Sequence, residues 1–348
     1  MELGLSGRPL LDTAADAALF VNRSDELAAL EKAVTAGMNV LVVGARGSGV
    51  TSLLRHTAYR LREAHTRPLL VIAGGLVSDV VELLDFVYEG LTGRRRTVVE
   101  PSQRQMAMEA LSHSVSGRHV PVARREPLVA LAVLDDLRHA LGDRPATIVL
   151  DGVPDATVAY TLFGRLRDEL WTLPLTWVVS VALPEQAVVI RPPADAFFEQ
   201  TLTVEPLSPL ASLDLLRRRL PNGALSTSEL EGLVALGAGN PRALLAATRA
   251  RLLEHRSLLD QRQAQEIQRA QLQTLGPAAA SLADELAALG AASASDPELL
   301  RRLGWKRSRT TQVLRQLETA GLAVGTPEPV PGGGRPRKVY RLTPDLTP

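Results

Sequence analysis

The chain has 348 residues, six histidines and no cysteine, which excludes disulfides, thiol catalysis and thiolate metal sites. Its length predicts two or three domains at roughly 100–200 residues each. Hydrophobic residues at 45% and charged residues at 22% fit a folded chain without membrane partners, and the first twenty residues lack the basic and apolar runs of a signal peptide, so a cytoplasmic protein is expected.

From Phe20 to Gly37 the spacing of Leu27, Leu30 and Val34 predicts a helix, with Ser24 as its N-cap. "MNVLVVG" is a short β-branched run ending in glycine, which reads as a buried parallel strand whose following helix begins near Gly49. "RPLLVIAGG" gives a second strand and "SDVVELLDFVYEGL" a helix. Gly93 to Arg125, with "GRRR" and "ARRE" at its ends, reads as an exposed insertion. "EPLVALAVLDDLRHAL" is a helix leading into "ATIVLDG", a strand ending at Asp151, and "TWVVSVALP" and "QTLTVEPL" supply two more strands. Strands alternating with helices predict an α/β fold, a doubly wound parallel sheet that binds ligands at the carboxyl ends of its strands.

From Ser208 to about Leu275 the periodicity is wholly helical. After it, "PAAASLADELAAL", "DPELLRRLG" and "SRTTQVLRQLETAGL" read as three helices and "AVGTPEPVPGGGRPRKVYRLTP" as a hairpin, the pattern of a winged helix-turn-helix. The expected division is an α/β domain over 1–205, a helical subdomain over 206–275 and a winged helix over 276–348.

Net charge is +1, unevenly spread: from Ala291 to Pro348 ten Lys or Arg face five Asp or Glu, so this stretch carries +5 and the remainder −4. A basic module on a mildly acidic body points to double-stranded DNA as partner. Lysine occurs only at Lys32, Lys306 and Lys338, so 36 of the 39 basic residues are arginine.

Gly44 to Thr51 spells G-A-R-G-S-G-V-T, a phosphate-binding loop G-x-x-x-x-G-K-[ST] with Val50 in place of the lysine. Drift from lysine to arginine would have put arginine there, so the loss is specific to the site. Gly44, Gly47 and Gly49 allow backbone N–H groups to curl around a phosphate at a helix N-terminus, with Ser48 and Ser52 beside them. Thr51 can offer its hydroxyl, and Asp151 its carboxylate, to the Mg²⁺ of ATP or ADP. Arg46 stands as a substitute for the missing charge. Gly152 follows Asp151 where a hydrolysing enzyme has glutamate, and Asp155 is three residues further on.

The stretches "FVNRSDELAALEKAV", "NVLVVGARGSGVTSLLR", "TIVLDG", "WVVSVALP", "VEPLSPLASLDLLRRRL" and "GAGNPRALL" resemble successive landmarks of AAA+ and STAND-type P-loop ATPases, especially the origin-recognition branch, which also ends in a winged helix. The resemblance spans nearly the whole chain. It implies that Phe20 to Arg23 border the adenine, that Ser180 senses the γ-phosphate, that Arg242 in the helical lid touches the phosphates, and that copies associate into a homo-oligomer. Val50, Gly152 and the want of a clear arginine finger, for which Arg191 is a poor stand-in, put ATP hydrolysis in doubt.

In the winged helix Lys306, Arg307, Arg309, Thr310 and Arg315 are expected on the DNA side of the recognition helix, and Arg335, Arg337 and Lys338 on the hairpin. The reading is a DNA-binding protein with a degenerate nucleotide module that supports assembly. An active ATPase, either an initiator-like loader or a signalling switch, and a nucleotide-free scaffold are the alternatives.

Overall fold

The computed structural model describes residues 4–64, 67–96, 122–253, 257–328 and 337–343. The chain folds as two compact units, one formed by Pro9–Ala45 and Gly49–Glu205, the other by Met1–Arg8, Arg46–Ser48 and Pro206–Pro348.

In the first unit, helix α1 (Ser24–Ala36) leads to strand β1 (Val40–Gly44), α2 (Val50–Glu63), β2 (Leu69–Ala73), α3 (Val80–Thr92), α4 (Val122–Leu141), β3 (Ala146–Asp151), β4 (Leu175–Ala182) and β5 (Gln200–Val204). The five strands form one sheet in the order β2-β3-β4-β1-β5, and all the pairings are parallel. Along β1 every residue is buried, and side chains alternate between two apolar layers. Leu41 and Val43 join Leu83, Leu84 and Val87 of α3 and Val133, Leu134 and Leu137 of α4. Val40 and Val42 join Leu27, Leu30 and Val34 of α1 and Leu53, Leu54 and Leu61 of α2. Both faces are therefore sealed, which is why the strand carries no polar residue.

The expected sheet is thus present, with two local differences. Ser24 is the first helical residue of α1, and the cap position is Arg23, held in a left-handed conformation at φ 66° without a side-chain cap. The stretch between β3 and β4, where no helix was expected, carries a short helix (Ala156–Ala159), a π-helical turn over Tyr160–Arg165 and another short helix (Arg167–Trp171). Of the insertion expected over 93–125, residues 97–121 lie outside the described residues.

The second unit holds α5 (Pro209–Arg217), α6 (Thr227–Gly237), α7 (Pro241–Leu253), α8 (Leu258–Leu275), α9 (Pro277–Leu289), β6 (Ala292–Ser293), α10 (Pro297–Leu303), α11 (Arg307–Thr319), β7 (Ala323–Glu328) and β8 (Arg337–Leu342). The three strands form an antiparallel sheet in the order β6-β8-β7. Leu282 and Leu286 of α9, Leu299 of α10, Val313, Leu314 and Leu317 of α11 and Tyr340 of β8 close one core. The three helices and the hairpin match expectation; β6, two residues long, is too short to leave a pattern.

One residue ties the sheet at its amino end. Asn39 is buried, accepts from the Trp177 N–H at 2.9 Å through Oδ1, donates from Nδ2 to the Phe197 carbonyl at 3.4 Å, and donates its backbone N–H to Glu199 Oε2 at 2.6 Å. Asn39→Ala strands two buried groups that bonded to the amide, at about 1–3 kcal/mol each. Urea unfolding of this variant is expected to show a loss of about 2–4 kcal/mol with an unchanged m-value.

Candidate functional site

The glycine-rich loop leaves the carboxyl end of β1 and enters α2 at Val50. Gly47 and Gly49 sit at φ 81° and 94°, a left-handed backbone that L side chains rarely adopt. In the α/β unit, Thr51 on the first turn of α2 donates from Oγ1 to Asp151 Oδ1 at 3.0 Å. Ser180 on β4 donates to the same oxygen at 3.2 Å and accepts from the Gly152 N–H at 2.8 Å. The sheet order explains the meeting, because β4 lies between β1 and β3 and all three strands point the same way. Burial raises the Asp151 carboxyl above its ordinary range, against the opposing pull of the two hydroxyls and of Arg55.

A buried carboxylate and a hydroxyl at a helix N-terminus are hard oxygen donors, suited to a hydrated Mg²⁺ carried by a nucleotide. Thr51 and Asp151 therefore fit the metal role expected of them.

The lysine position is different in kind. Val50 is half-buried and packs with Phe20 against the apolar layer of Leu27, Leu30, Leu53 and Val204, so its side chain extends that core. Gly152 is held at φ 84°, and its carbonyl oxygen would lie 1.9 Å from a Cβ added to Gly74. Two glycines thus let the ends of β2 and β3 close together, and a glutamate at 152 would sit in a strained backbone. Asp155 is spent on capping: its Oδ1 accepts from the N–H groups of Thr157 at 2.7 Å and Val158 at 2.8 Å.

Other expected nucleotide residues have local duties. Ser52 accepts from the Leu10 N–H at 3.1 Å. Phe20 stacks on His56 with ring centroids 4.1 Å apart and planes 5° from parallel. His56 is kept below its ordinary proton affinity by burial and by Arg60. Arg23 is buried and ion-paired with Glu26 at 2.8 Å.

The loop tip Arg46–Ser48 belongs by its contacts to the second unit. There the Arg46 guanidinium lies 2.9 Å from Glu285 of α9, to which Arg302 also comes within 3.7 Å. Asn240 donates from Nδ2 to the Arg46 carbonyl at 2.8 Å, while its Oδ1 accepts from the N–H groups of Arg242 at 3.0 Å and Ala243 at 3.2 Å. Arg242 also gives its N–H to the Gly47 carbonyl at 3.4 Å, and Ser48 is buried. Neither Asn240 nor Glu285 was a sequence candidate, since no local spacing links positions so far apart.

In the second unit Lys306, Arg307, Arg309 and Arg315 are exposed on or beside α11. Arg309 lies over the Trp305 ring, 4.4 Å from its centroid. Thr310 is a correction: it is fully buried, because it falls on the same helical stripe as Val313, Leu314 and Leu317, and so faces the core rather than solvent. Arg337 is exposed; Lys338 is paired with Glu318 at 2.7 Å, which raises its proton affinity. Arg335 lies outside the described residues.

No family model matches the sequence, and no curated protein matches it. Among solved structures, the chain is similar to the Aeropyrum pernix ORC1 protein in complex with DNA, at 16% identity over 94% of this chain and 91% of that one, TM-score 0.49. It is similar to the Walker-type ATPase paby2304 of Pyrococcus abyssi, at 17% identity over 99% and 98% of the two chains, TM-score 0.48. The Aeropyrum pernix ORC2 protein is similar at 16% identity over 93% and 92%, TM-score 0.47.

Because Asp151 has a raised proton affinity when folded, stability at this group is lost as pH rises through the window between its unfolded and folded values. Asp151→Asn keeps an acceptor for Thr51 and Ser180 without the buried charge. Calorimetry at neutral pH is expected to show the ligand-free variant melting about 2–4 °C higher than the parent, with no response to Mg²⁺ and ADP.

Proposed function

We propose that this is a DNA-binding protein whose α/β unit is a degenerate nucleotide-binding module, holding ATP or ADP with Mg²⁺ weakly or structurally rather than turning it over. The observation that carries the reading is the pairing of an intact Thr51–Asp151–Ser180 cluster with the loss of both catalytic groups: Val50 is absorbed into the core, and Gly152 lies on a left-handed turn. On this reading the backbone N–H groups of the loop cradle the phosphates and Thr51 and Asp151 hold the cation, which would neutralise phosphate charge when bound. Ser180 positions Asp151. Nothing at 152 orients a water, and Asp155 is capping a helix.

The second unit then divides into a lid over 206–275, with Arg242 beside the loop tip, and a winged helix over 276–348. Lys306, Arg307, Arg309 and Arg315 face duplex DNA from α11, with Arg337 on the hairpin. Copies associate through the nucleotide module, which raises the affinity of linked DNA-binding faces. Among the described residues no helix is long and apolar enough to cross a membrane.

Two measurements test this. Protein purified without added nucleotide is expected to release substoichiometric ADP or ATP and to show negligible turnover, and Val50→Lys is expected to tighten ADP binding about tenfold by adding a charge-assisted phosphate contact. Robust turnover abolished by Asp151→Ala would restore the active-enzyme reading. Fluorescence anisotropy on duplex DNA is expected to give a log–log salt slope of roughly −3 to −5 for three to five neutralised phosphates. Arg337→Ala is expected to flatten it by about one unit. If Arg307→Glu with Arg309→Glu leaves duplex affinity unchanged, the C-terminal face is a protein-docking module and the scaffold reading replaces this one.

A further inference from the structure

The π-helical turn between β3 and β4 carries a feature that neither the phosphate loop nor the winged helix uses. Tyr160 opens the turn and Arg165 closes it. The Arg165 guanidinium carbon lies 5.7 Å from the Tyr160 ring centroid, and Arg191, in the segment between β4 and β5, lies 4.7 Å from the same centroid. The two cations are thus no more than about 10 Å apart, within roughly one Debye length at 0.1 M salt. Both arginines are exposed.

Among the described residues neither pairs with a carboxylate. The acidic residues next to the turn are committed elsewhere: Asp168 pairs with Arg167 at 3.2 Å and Glu169 with Arg138 at 3.3 Å. Arg167 continues the basic edge, lying 5.4 Å from the centroid of the half-exposed Trp171 ring and donating to the Pro193 carbonyl at 3.4 Å. Behind this edge the packing is firm. Phe163 of the turn contacts Trp177, Phe197 and Phe198, so the backbone bearing Arg165 is fixed against the core of the α/β unit.

An arginine held by the face of a ring keeps its N–H edges available, and that planar fork matches phosphate. Two such forks on one ring, neither ion-paired with a carboxylate among the described residues, repel each other, and an anion with repeated charge lying across them relieves that repulsion. A phosphodiester strand carries that repetition, whereas a single carboxylate satisfies only one fork.

We propose that Arg165 and Arg191, mounted on Tyr160, form a phosphodiester-binding clamp for a nucleic-acid strand on the α/β unit, separate from the basic face of α11. The clamp does not depend on the C-terminal face binding DNA, and the test separates the two. The experiment uses the full chain carrying Arg307→Glu and Arg309→Glu, which removes the α11 contribution. Its affinity for a fluorescent single-stranded oligonucleotide and for a duplex is measured by anisotropy across a salt series, with ADP as a competing small phosphate ligand.

Residual binding at low salt is expected in this background. Adding Arg165→Glu and Arg191→Glu should weaken it at least tenfold and flatten the salt slope by roughly two units, at about 0.9 per phosphate. Lysine at both positions should retain the slope and lose part of the affinity, and equal melting temperatures would show that each variant folds. The proposal is overturned if the background chain binds neither strand form at low salt, or if charge reversal leaves its binding unchanged. It is likewise overturned if only ADP affinity responds, in which case the clamp serves a free nucleotide.

Discussion

A parallel sheet buried on both faces leaves its chain few places to do chemistry, and the α/β unit is arranged around that constraint. β1 contributes Leu41 and Val43 to one apolar layer and Val40 and Val42 to the other, so no side chain within the strand can reach a ligand. Polar groups must gather at the strand ends. Asn39 closes the amino edge, and Thr51, Asp151 and Ser180 meet at the opposite one. The same burial that stabilises the sheet also raises the proton affinity of Asp151.

Val50 and Gly152 are both integrated into the fold. Val50, half-buried, packs against the apolar layer on one face of the sheet. Gly152 permits the close approach to Gly74, and Ser52 secures the segment at Leu10.

Much of the architecture was legible in the sequence because its periods are strong: β-branched runs of four or five residues ending in Gly44 or Asp151 have few other readings. The loop, its missing lysine and the acidic strand end were readable for the same reason. What could not be read depends on distance or on phase. Glu285 meeting Arg46 across 239 positions leaves no local trace. Thr310 was placed on the solvent side because its neighbours are polar, whereas the helical stripe that it shares with Val313, Leu314 and Leu317 turns it inward. The π-helical turn was invisible because no residue pattern marks one extra residue in a helical turn.

The close approach of Gly74 and Gly152 couples the ends of β2 and β3. A catalytic glutamate at 152 needs an ordinary backbone there, but the carbonyl of Gly152 now occupies the space that any side chain at 74 would claim. A glutamate placed at 152 would stand on a left-handed backbone that L side chains rarely adopt. The ends of β2 and β3 can therefore change conformation only together.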